Sequence, residues 1–176
     1  PENVQGIVAA RLDALSAEDK ALIQDAAVLG KVFWSGALAA MTDEQRWTVE
    51  EQLHGLERKE FVRRERLSSV ASETEYAFRH VLVRDVAYGQ VPRALRAEKH
   101  LRAAEWIEAL STDREDSAEM LAHHYVRALE FARAAKQDVQ PIADRARVAL
   151  REAGDRAYGL NALAAAAAFY KEALEL

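Results

Sequence analysis

His80 stands in YAFRHVLVRDVAY, residues 76–88, where strand-like alternation hands over to helical spacing. An imidazole at such a seam has three uses. It can bond to backbone inside a core. It can serve as base or acid in a catalytic set, although no nucleophile is visible at its side. It can also donate to an anion near the start of a helix, where unsatisfied N–H groups favour negative charge. His123 and His124 invite a metal reading. Adjacent helical residues point about 100° apart, however, and do not share a face as i and i+4 ligands do. His124 falls beside Leu121 and Ala128, and His123 beside Glu119 and Arg127, so packing and surface roles are expected instead. Arg63, Arg64 and Arg66 form a short basic run that reads first as a solvated surface.

Other chemistry is missing from the 176 residues. There is no G-x-x-x-x-G-K-[ST] to cradle phosphates, no G-x-G-x-x-G, no H-E-x-x-H and no G-x-S-x-G. No motif argues for an enzyme, and no cofactor is expected within the chain. Without cysteine, disulfides and thiolate metal sites are excluded. The net charge of −5 makes a poor general nucleic-acid binder, because phosphate attraction dominates that affinity. No run approaches the roughly 20 apolar residues that span a bilayer, and no signal peptide is visible. A cytoplasmic setting is the expectation. The chain starts at Pro1 and stops at KEALEL inside a helical pattern, so it reads as part of a longer protein.

The elements that position these residues follow from periodicity. Val4, Ile7, Val8, Leu12 and Leu15 fit one helical face. Ser16 opens SAED as an N-cap with an acidic residue three on, and Gly30 is a natural stop after Leu22, Ile23, Ala26, Ala27 and Leu29. A short helix, WSGALAAM, and a fourth at about 44–59 follow. FVRRERL and TEYAF then read as a hairpin around the loop SSVASE, some six residues long. Helices followed by a two-stranded wing form a winged-helix pattern. The fourth helix is acidic, with Glu44, Glu50, Glu51 and Glu57 against Arg46, Arg58 and Lys59, which argues against specific DNA readout.

Beyond residue 91 the pattern is helical throughout. Ala103, Trp106, Ile107 and Leu110 form one stripe, and Leu121, Ala122, Tyr125, Ala128 and Leu129 belong to another. KQDVQP breaks the run, and two helices follow at about 141–158 and 161–176. There, Leu150, Gly154, Ala157, Ala166, Tyr170 and Ala173 have the spacing of a tetratricopeptide repeat. The expected fold is therefore mostly α: a winged-helix domain at 1–91, a helical connector at 92–140, and a truncated tetratricopeptide-like hairpin at 141–176.

The strings VAARLDALSAEDKALIQDAAVLGKVF, EQLHGLERKEFVRRE, YAFRHVLVRDVAY and MLAHHY together resemble one part of the STAND signal-transduction ATPases. That part directly follows the nucleotide-binding core, as in bacterial proteins that join such an ATPase to a cyclase, kinase or DNA-binding output domain. FRHVLVRDVAY is similar to the Met-His-Asp motif, with Arg79, His80 and Val81 at the equivalent positions. The histidine matches; the methionine and aspartate do not. The resemblance implies that His80 contacts the β-phosphate of ADP held by a neighbouring nucleotide-binding domain, and so reports nucleotide state. It implies a non-catalytic regulatory segment, with ATP or ADP in the parent protein and a helical-repeat arm for a protein or small-molecule inducer. The alternative is a winged-helix transcription regulator with a helical dimerisation or ligand domain. Weak self-association through the C-terminal hairpin is also expected, since a repeat buries its face only against a neighbour.

Overall fold

The computed structural model describes residues 2–110 and 114–176. The chain forms two compact units, Pro1–Pro92 and Arg93–Leu176. It is mostly helical, with one small antiparallel sheet.

The first unit runs α1 (Glu2–Asp13), α2 (Ala17–Leu29), β1 (Val32–Trp34), α3 (Ser35–Thr42), α4 (Arg46–Arg58), β2 (Val62–Arg64), β3 (Glu75–Phe78) and α5 (Val81–Gln90). α2 begins where its sequence signal lies: the Ser16 Oγ accepts from the Asp19 N–H at 3.1 Å. It stops at Gly30, whose φ of 139° suits a residue without Cβ. The face expected for α1 is only half used. Val8 and Leu12 are buried, but Val4 and Ile7 lie in solvent. Periodicity places residues on a face; it does not say how far along a helix the core extends.

The sheet has the order β1-β3-β2. The sequence pattern places Trp34 at the start of the short helix; Val32–Trp34 instead form β1, and the helix starts at Ser35. β1 pairs with β3 through Phe33 opposite Tyr76, and β2 pairs with β3 through Val62 opposite Phe78. As the middle strand, β3 buries Tyr76, Ala77 and Phe78 together, so its alternation carries no exposed face until Arg79. Phe33 packs against Tyr76 and Phe78 at ring distances of 6.0 and 5.5 Å.

The β2–β3 connection spans residues 65–74, longer than the expected six-residue loop. It is tied at both sides. The Glu73 carboxylate accepts from Arg46 Nη2 at 2.8 Å and from the Gly36 N–H at 3.0 Å. The Glu75 carboxylate accepts from Trp34 Nε1 at 3.1 Å and from the Ser69 N–H at 2.7 Å.

The second unit contains α6 (Arg93–Ala109), α7 (Arg114–Ala134), α8 (Gln140–Gly159) and α9 (Leu163–Glu175). Each helix packs against the next. Its core joins Ile107, Leu121, Tyr125, Leu129 and Leu150 to a set of alanines that let the helix axes approach. α8 and α9 approach closely at Gly154. A Cβ added at Gly154 would lie 2.6 Å from Tyr170 Cε1, and the Tyr170 hydroxyl donates to Asp155 Oδ1 at 2.7 Å.

Candidate functional site

β3 and α5 position His80. Two residues beyond the buried Phe78, it occupies the N-cap of α5 with extended backbone (φ −135°, ψ 133°). The flanking backbone is fixed: the Arg79 N–H donates to Phe61 O at 3.1 Å, and His80 O accepts from the Val83 N–H at 3.0 Å. The ring makes no capping bond and is exposed, as is Arg79 beside it. The core-histidine reading is therefore overturned. The imidazole stands exposed at a helix N-terminus, where the first N–H groups of α5 suit an anion.

The DNA reading draws on α4 and the following strands. Trp47, Glu51, His54 and Arg58 on α4 are exposed. Arg46 is engaged by Glu73 and lies 3.4 Å from Glu50, and Arg63 pairs with Glu65 at 2.9 Å. Charges already matched to carboxylates have little left for phosphates.

His123 and His124 part company. His123 is exposed. His124 is fully buried, and its Nδ1 lies 3.0 Å from Nδ1 of His100, itself 1% exposed. One ring donates and the other accepts, so a single proton serves both nitrogens. No cluster of three or more metal-ligating side chains occurs among the described residues. The pair ties α6 to α7, and His100 also stacks on Phe131 at 5.9 Å. Sequence reasoning found His124 and missed His100. The signal was present: Ala97, His100, Ala104 and Ile107 follow helical spacing on the buried side of α6.

No known protein family, curated protein or solved structure matches this chain. The residues alone carry the functional argument.

A second concentration of polar groups lies in the α6–α8 unit. A hollow of about 260 Å³ is lined by Glu108, Tyr125, Asp144, Arg145 and Glu152, among others. The Tyr125 hydroxyl donates to Glu108 Oε2 at 2.8 Å and accepts from Arg145 Nη1 at 3.4 Å. Burial, reinforced by the Glu108 carboxylate, pushes the phenol up to about 12. This predicts an alkaline weakness. The unfolded phenol ionises near 10.0 and the folded one near 12. The contribution is complete below pH 10 and is lost as pH rises through about 12, by on the order of 2 kcal/mol. Urea unfolding between pH 9 and 12 should show this slope, and Tyr125→Phe should flatten it. An identical slope in the variant would assign it to other groups.

Proposed function

We propose that residues 1–92 form a winged helix serving as a domain-packing module, and that α8 and α9 form a tetratricopeptide-like hairpin of a regulatory arm. The helix–strand–helix–helix–strand–loop–strand order, with β1-β3-β2 pairing, supports the first part. The fit of Tyr170 against Gly154 supports the second. The chain would be the non-catalytic segment of a STAND-type ATPase, coupling nucleotide state in an adjoining core to an inducer-binding arm. The observation that carries this reading is the His80 ring, open to solvent on a fixed backbone.

In this mechanism His80 donates to the β-phosphate of ADP only when the core and this unit are closed together. The contact exists in one state alone, so it shifts the balance between states. A charge-assisted hydrogen bond of roughly 1.5–3 kcal/mol corresponds to about a 10- to 150-fold change in the closed-to-open ratio. His80→Ala in the parent protein should therefore speed ADP release and raise basal output by a factor in that range. The same substitution in residues 1–176 should leave the melting temperature unchanged, because the ring is exposed. An unchanged ADP off-rate would refute the sensor role. The transcription-regulator reading is the weaker one, given the acidic balance of α4 and the pairing of Arg46 and Arg63 with carboxylates. Recovery of a consensus site from random duplexes, with a specificity ratio above about 10³, would reverse that order.

A further inference from the structure

Two of the five histidines are taken out of water together: His100 and His124 are both buried, with 3.0 Å between their Nδ1 atoms. In the neutral pair one ring carries its proton on Nδ1, and the other presents a bare Nδ1 to it and keeps its own proton on Nε2. A first added proton goes to the bare Nε2 of the donor ring. It leaves the shared bond intact but puts a charge into a buried site. A second must go to the bridging Nδ1 of the acceptor. That ends the bond and sets N–H against N–H, on two like charges, across 3.0 Å. The folded pair therefore takes one added proton at most, whereas the same two imidazoles in an unfolded chain take two.

The groups around the pair act in the same direction. Arg96 on α6 and Arg127 on α7 lie over the Phe131 ring, at 5.5 and 4.7 Å, and Phe131 stacks on His100. Arg127 also pairs with Glu130. The His123 ring stands 6.1 Å from that of His100 and 5.4 Å from that of His124. Where α8 packs on α7, its charged groups are Arg145, at Tyr125, and Arg156, 4.0 Å from Glu119. A charge on the pair faces like charge from Arg96 and Arg127 across the Phe131 ring.

We propose that the His100–His124 pair is an acid-sensitive tie between α6 and α7. At neutral pH the shared proton holds the two helices together. In mild acid the second proton is accommodated only when the rings separate, so the α6–α7 contact opens. The sign follows from the proton count. The open form binds more protons, so the tie is whole above the ordinary imidazole range near pH 6.5 and weakens as pH falls through it. The device is independent of any nucleotide contact at His80.

Amide hydrogen exchange on the 176-residue chain between pH 7.5 and 5.5, corrected for the intrinsic pH dependence of exchange, tests this. The opening equilibrium of α6 and α7 should rise by about 10- to 100-fold, for one or two protons taken up on opening. Amides of β1, β2 and β3 should change less. His54, His80 and His123 are exposed, so folding withdraws none of them from water. In His124→Asn the amide can stand where Nδ1 stood, and one titrating ring is gone. The change across this pH range should shrink by about tenfold, the share of one imidazole. Opening of α6 and α7 that ignores pH in the wild type, or that responds equally in His124→Asn, overturns the proposal. Should the variant fail to fold, the ring signals of the wild type decide by nuclear magnetic resonance. No more than one charge on the pair in the folded protein at pH 5.5 supports the tie; two charged rings in the folded protein overturn it.

Discussion

His124→Ala is expected to lower the unfolding free energy by about 3–5 kcal/mol, the range for deleting a large buried ring. Two losses combine. The fully buried ring leaves a cavity between α6 and α7, and Nδ1 of His100 loses its partner at 3.0 Å. His100→Ala should cost a similar amount for the same reasons. The double variant distinguishes a shared bond from two independent packing roles. If the rings share one proton, removing the second costs less than removing the first, and the two effects fall short of their sum by about 0.5–3 kcal/mol. Strict additivity in urea unfolding would mean that the rings only fill space.

Gly154→Val should destabilise by about 3 kcal/mol, the upper part of the usual overpacking range, and Gly154→Ala by somewhat less. The sign is informative, because replacing glycine by alanine inside a helix ordinarily stabilises by up to about 1 kcal/mol. Here the new Cβ would meet Tyr170 Cε1 at 2.6 Å and Cδ1 at 2.8 Å. The ring is held in place by the bond from its hydroxyl to Asp155. Gly55 in α4 is the control: nothing lies within 4 Å of a Cβ built there, so Gly55→Ala should stabilise. Pairing Gly154→Ala with Tyr170→Ala should recover part of the loss. If Gly154→Ala instead behaves like Gly55→Ala in thermal melting, the α8–α9 contact is looser than the static distances imply.

The parts of this fold that were legible in the sequence are those governed by local chemistry. Ser16 and Gly30 bracket α2 because capping acts over a few residues. Gly154 and Tyr170 could be paired in advance because the two helices are consecutive and short-linked. β1 was missed because three residues hold no period of their own; Val32–Trp34 is a strand by virtue of β3, more than forty residues away. His100 was missed for a similar reason. Helical spacing puts it on the buried side of α6, but only the packing of α6 against α7 brings it to His124. The exposure of His80 was the least accessible from sequence: a strand buried on both faces leads into it, and the burial ends only at Arg79.

That abrupt end has a consequence for recognition. β3 cannot slide without drawing Tyr76 or Phe78 out of register with Phe33 and Val62, so pairing on both sides sets where the strand ends. The backbone just beyond is tied by the bond from the Arg79 N–H to Phe61 O. An ion arriving at His80 would have to still only the ring torsions, each immobilised side chain costing about 0.5–1.5 kcal/mol, and not a loop. The ordering that recognition usually demands at the moment of contact has already taken place when the sheet forms.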